Sequence, residues 1–94
     1  MNITIKAEAQ ETLHEIAELI DGINTPGAGD RWIDRILDFI RAYAQPKVKY
    51  ALCHNQQLAE ALFSCITFNH WVIVFRIEED LLVVYQIING SLLK

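Results

Sequence analysis

The chain has only two cysteines, Cys53 and Cys65, which stand twelve residues apart without a CxxC spacing or a neighbouring pair of histidines. This arrangement favours neither a zinc site nor a disulfide framework. The sequence therefore predicts two reduced, inert thiols, as in a reducing cytoplasm, and no metal or other cofactor.

Long apolar runs are also missing. No stretch reaches the roughly 18 apolar residues that a membrane-spanning helix needs, and residues 1–6 contain no basic segment ahead of an apolar run. We therefore expect a cytoplasmic protein that is neither exported nor associated with a membrane.

Basic residues are scarce: 8 Lys and Arg stand against 12 Asp and Glu, for a net charge of −4. This is the wrong overall sign for neutralising nucleic-acid phosphates. Hydrophobic residues, in contrast, make up 52% of the chain, enough to offset the entropy cost of folding. The length of 94 residues predicts a single domain over 1–94, with any site on a face or rim rather than in a deep pocket.

Apolar residues recur at steps of three and four in two segments. The first predicts an amphipathic helix over 7–22. The second predicts a helix with Thr25 as its N-cap and Pro26 at its first position, ending before Pro46. Two such helices joined by a short loop form an antiparallel hairpin, whose apolar stripes need a common cover.

The remaining apolar segments predict strands. Alternation over 2–6 indicates a short edge strand, and β-branched and aromatic residues indicate three strands over 62–69, 70–77 and 81–88. Residues 46–61 are predicted to be an irregular connector with a short helical turn. We therefore expect an α+β fold of order β-α-α-β-β-β, with the helical hairpin packed on a twisted antiparallel sheet.

Successive side chains of a strand point to opposite faces of the sheet, so the strand sequences predict which residues share a face. The predicted core lies between one face and the helices: Ile16, Ile20, Ile36, Ile40, Trp71 and Phe75. The opposite face is predicted to carry Cys65, Thr67, Val72, Val74, Arg76, Val84, Gln86 and Ile88. Because this face is unusually apolar, we expect it to associate with a second copy or a small protein. The alternative is that the connector folds back over it.

This order of elements resembles the RelE/ParE family of bacterial toxins. The resemblance covers nearly the whole chain and rests on the segments 7–16, 31–36, 71–77 and 87–90. It implies the toxin of a type II toxin–antitoxin (plasmid stabilisation) system, neutralised by a small antitoxin. It further implies that the toxin acts by ribosome-dependent cleavage of mRNA or by inhibition of DNA gyrase.

The chain departs from the RNA-cleaving members of that family at two places. Ser91 stands where an arginine commonly follows the glycine of the final motif, and the segment 64–67 has no basic residue. Such members use Lys and Arg side chains to stabilise charge on the scissile phosphate. We therefore expect weak or absent nuclease activity, and the alternative function is a catalytically silent interaction module without toxicity.

The candidate catalytic residues are the cations that remain: Lys47, Lys49 and Arg76. Together with Tyr50 and His54 they are predicted to form one positive rim that contacts a phosphate. The alternative is that the lysines only favour solubility and that Arg76 pairs with a carboxylate such as that of Glu78.

Overall fold

The computed structural model describes residues 1–45 and 50–92. Its elements follow in the order β1 (Asn2–Ile5), α1 (Ala7–Ile23), α2 (Ala28–Tyr43), α3 (Gln56–Glu60), β2 (Ser64–Phe68), β3 (Trp71–Glu78) and β4 (Leu81–Asn89), with a final 3₁₀ turn over Gly90–Leu92. The predicted α+β class is confirmed. Among the described helices, none is long and apolar enough to cross a membrane.

The four strands form one mixed sheet in the order β1-β4-β3-β2. β3 runs antiparallel to both of its neighbours, but β1 runs parallel to β4, with Ile3 opposite Leu82 and Ile5 opposite Val84. The expectation of a purely antiparallel sheet is therefore wrong. The helical hairpin, the connector, β2 and β3 all lie between these two parallel strands in the chain. The register places the isoleucines beside apolar partners on the face that the helices cover.

α1 occupies the predicted segment, whereas α2 begins later than predicted. Thr25 and Pro26 lie in a turn, and Gly27, with a φ of 89°, precedes the helix. The Gly29 N–H is instead satisfied by Oδ1 of Asp21 on α1, at 2.9 Å. A Cβ at Gly29 would lie 2.3 Å from the backbone oxygen of Ala17. The two helices therefore approach each other closely at the first turn of α2.

The core lies between the helical hairpin and one face of the sheet, which we call the inner face. Ile36, Ile40 and Phe75 are fully buried there and Ile16 is nearly so. Trp71 and Ile20 are partly buried and pack against the same cluster. The predicted core is confirmed.

A bulge in the β3–β4 pairing changes which β4 residues lie on each face. Phe75 pairs with Val84 and Val74 pairs with Gln86, so Tyr85 is an extra residue on β4. Val84 consequently belongs to the inner core. Its predicted place on the opposite face is wrong, because strict alternation does not hold across a bulge.

The opposite, outer face carries Phe63, Cys65, Val74, Arg76, Val83 and Tyr85. Val74 is 0% exposed and Val83 4% exposed, although neither contributes to the cluster beneath the helices. The prediction that this face presents an open apolar patch is wrong at its centre. Part of the connector lies against this face, because Cys53 is bonded to Cys65 and the Ala61 carbonyl accepts from Arg76, which corresponds to the alternative expectation.

Cys53 and Cys65 form a disulfide, contrary to the prediction of two reduced thiols. Leu52 forms a backbone bridge with Ser64, and the Cys53 N–H donates to the Phe63 carbonyl at 2.9 Å. This local pairing brings the two cysteine Cα atoms to 4.8 Å, within the range that a disulfide spans. Sequence spacing alone does not show that the connector turns back along β2.

Candidate functional site

Polar and aromatic side chains from neighbouring strands meet on the outer face. Arg76 on β3 lies between Phe63, which precedes β2, and Tyr85 on β4, while Lys6 and Glu78 flank Tyr85. Side chains that project from the same face of adjacent strands are direct neighbours, so the sheet itself positions these groups. We call these five residues the outer-face cluster.

The Arg76 side chain is held by contacts within the protein. Its Cζ lies 4.2 Å from the ring centroid of Phe63 and 5.4 Å from that of Tyr85. The two rings meet edge to face over it, with centroids 5.0 Å apart. Nη2 donates to the carbonyl of Ala61, while Nε is buried without a hydrogen-bond partner among the described residues. The guanidinium is therefore engaged by cation–π contacts and by a backbone acceptor.

Tyr85 connects this cation to an acidic turn. Its hydroxyl donates to Oε2 of Glu78 at 2.7 Å. This hydrogen bond raises the pKa of Tyr85 above 10.0, with smaller contributions from burial and from the charge of Glu78, while Arg76 acts in the opposite direction. Lys6 places its Nζ 5.5 Å from the centroid of the Tyr85 ring. The cluster thus favours a neutral, hydrogen-bonded phenol.

We expect Glu78→Gln to lower the pKa of Tyr85, because the charged acceptor of the phenol proton is removed. The pKa of Tyr85 is higher in the folded protein than in the unfolded chain. The neutral phenol therefore stabilises the fold fully below pH 10.0, and this stabilisation is lost as the pH rises through the folded-state pKa. Titration of the tyrosine ¹³Cζ resonances by NMR measures the shift. Glu79→Gln is the matched control and should leave the pKa of Tyr85 unchanged. The same Tyr85 pKa in both variants would contradict the role of Glu78 in raising it.

The structure describes only part of the predicted positive rim. Lys47 and Lys49 lie outside the described residues. Tyr50 packs on the inner side, with its ring centroid 5.3 Å from that of Phe75. Arg76 is on the outer face, so Tyr50 and Arg76 lie on opposite sides of the sheet.

The Tyr50 hydroxyl is used to hold the end of α2. It donates to the carbonyl of Tyr43 and accepts the N–H of Gln45 at 3.1 Å. The predicted partner His54 is exposed and lines a cavity of about 390 Å³, together with Asn55 and Cys65. The predicted pairing of Arg76 with Glu78 is not observed, because Glu78 accepts from Tyr85 instead.

A second cavity, of about 510 Å³, lies between the end of α2 and the edge of β2 and is lined by Tyr43, Tyr50 and Ile66. Cys65 lines this cavity as well as the one at His54. Among the described residues, no group of three His, Cys, Asp or Glu side chains is placed to hold a metal ion. The features of chemical interest are therefore the outer-face cluster and the disulfide beside it.

Sequence reasoning selected Arg76 but not the aromatic residues around it. Phe63 was accessible to such reasoning, since it stands two positions before Cys65 and therefore projects from the same face of an extended segment. Tyr85 was not, because only the bulge turns it toward Arg76. No protein-family model and no curated protein matches the chain.

Proposed function

We propose that this chain is the toxin of a type II toxin–antitoxin pair of the RelE/ParE kind and is neutralised by a small antitoxin in the cytoplasm. The observation that supports the proposal is the order of elements on which the resemblance rests. A strand, a helical hairpin, a connector and three antiparallel strands follow one another in this chain. In this proposal the toxin binds DNA gyrase and does not cleave RNA.

The contacts of Arg76 argue for binding over cleavage. A cation that stabilises charge developing on a phosphate must direct free N–H groups at the phosphate oxygens. In Arg76, Nη2 already donates to the Ala61 carbonyl, and the rings of Phe63 and Tyr85 flank the guanidinium. With Ser91 in place of the usual arginine, the chain has few other cations for this role.

The contacts of Arg76 within the protein also favour a second candidate function, an interaction module that has the scaffold but no toxicity. In that case Arg76 only joins the connector to β3 through Ala61. The two functions differ in whether the free protein stops growth.

Controlled expression in a bacterial host, with and without the product of the adjacent reading frame, tests the proposal. We expect growth arrest that the adjacent gene product relieves, inhibition of gyrase supercoiling in vitro, and no cleavage of mRNA on ribosomes. Arg76→Gln should leave the arrest in place. Cleavage that is lost on substitution of Lys47, Lys49 and Arg76 would show a nuclease instead. The absence of any arrest would identify the silent module.

A further inference from the structure

We propose that the Cys53–Cys65 disulfide is a reducible latch that holds the loop over 52–62 against the outer face of the sheet. Reduction by a dithiol would release this loop and expose the centre of that face while the helical core stays folded. The inference concerns regulation of the fold and does not depend on the proposed toxin activity.

The disulfide joins the loop to the outer face. Cys65 is the cross-strand partner of Val74, so both side chains project from the same face. Cys53 is 5% exposed and Val74 is 0% exposed. The disulfide therefore contributes to the cover over the most deeply buried residue of the outer face.

Few other contacts hold the loop in place. Beside the isolated Leu52–Ser64 bridge, three hydrogen bonds join the loop to its surroundings. The Cys53 N–H donates to the Phe63 carbonyl, the Leu58 carbonyl accepts from the Phe63 N–H, and the Ala61 carbonyl accepts from Arg76. α3, within the loop, contributes no buried residue. A segment with few buried contacts is among the first to open locally. The disulfide adds a covalent restraint to these hydrogen bonds.

The helical hairpin does not depend on the loop in this way. α1 and α2 pack on each other and on the inner face, through residues such as Ile16, Ile36 and Phe75. Neither cysteine belongs to that cluster. Opening of the loop therefore removes neither cysteine from the inner core, and the core stays packed.

The geometry also indicates which sulfur a reductant reaches. Cys65 lines both cavities and is half-buried, whereas Cys53 is buried. A thiolate of the dithiol attacks Sγ of Cys65, and Cys53 leaves as a thiolate. The second thiol of the reductant then displaces Cys65 and closes its own disulfide. The dithiol thus gives two electrons and two protons to the protein, where Cys53 and Cys65 become free thiols.

Hydrogen exchange of the full chain, before and after treatment with dithiothreitol in native buffer, tests the latch. A thiol assay should find no free thiol before treatment and two afterwards. We expect exchange at 52–62 to quicken by at least about tenfold on reduction. Exchange in α1 and α2 should remain unchanged.

The double variant Cys53→Ser, Cys65→Ser is the matched control. It should exchange rapidly in the loop under both conditions and show no response to dithiothreitol. Two free thiols in the untreated protein, or identical exchange before and after reduction, would overturn the proposal. Simultaneous opening of α1 and α2 with the loop would also overturn it, because the disulfide would then support the whole fold. None of these readouts uses toxicity, so failure of the latch is distinct from failure of the proposed function.

Discussion

Phe75→Ala is expected to lower the free energy of unfolding by about 3–5 kcal/mol, because a fully buried aromatic side chain is removed and a cavity remains. Phe75 projects from the central strand β3 into the core beneath the helices and meets the Tyr50 ring. The core loses the Phe75 ring, and Tyr50, whose hydroxyl holds the end of α2, loses the ring against which it packs. Urea denaturation followed by circular dichroism measures the loss.

Phe68→Ala is the control for this substitution. Phe68 is half-buried on the edge strand β2, where it contacts Trp32 and Phe39. A smaller loss is expected there, since less of the side chain is removed from solvent. If Phe75→Ala left the urea denaturation curve unchanged, the placement of Phe75 in the core beneath the helices would be contradicted.

Val74→Glu is expected to destabilise the monomer itself by about 3 kcal/mol or more, because it moves a carboxylate from water to a fully buried position. Val74 is 0% exposed on the outer face, beside the disulfide at its cross-strand partner Cys65. Urea denaturation gives the free energy of unfolding, and gel filtration over a range of concentrations gives the oligomeric state.

Val72→Glu is the matched control, since Val72 lies two residues away on the same face but is only half-buried. Its carboxylate reaches solvent more readily, so the expected loss is smaller. If Val74→Glu were as stable as the parent protein and changed only its self-association, the face would be open and the original expectation of an apolar docking face would stand.

The sequence by itself determined the elements that depend on local periodicity. The spacing of Leu13, Ile16 and Ile20 requires a helix with one apolar face, and the alternation through Trp71, Ile73 and Phe75 requires a strand with one buried face. These patterns also placed Arg76 on the side away from the helices. They state which side chains share a face, but not which contacts those side chains make.

Only the tertiary structure decided the features that arise between segments distant in the chain. The parallel pairing of β1 with β4 joins two strands that the helical hairpin, the connector, β2 and β3 separate in the chain. The rotation of Tyr85 toward Arg76 depends on a one-residue bulge in the pairing of β3 with β4. The Cys53–Cys65 disulfide depends on the connector turning back along β2. Each results from packing and register between segments, which local periodicity does not encode.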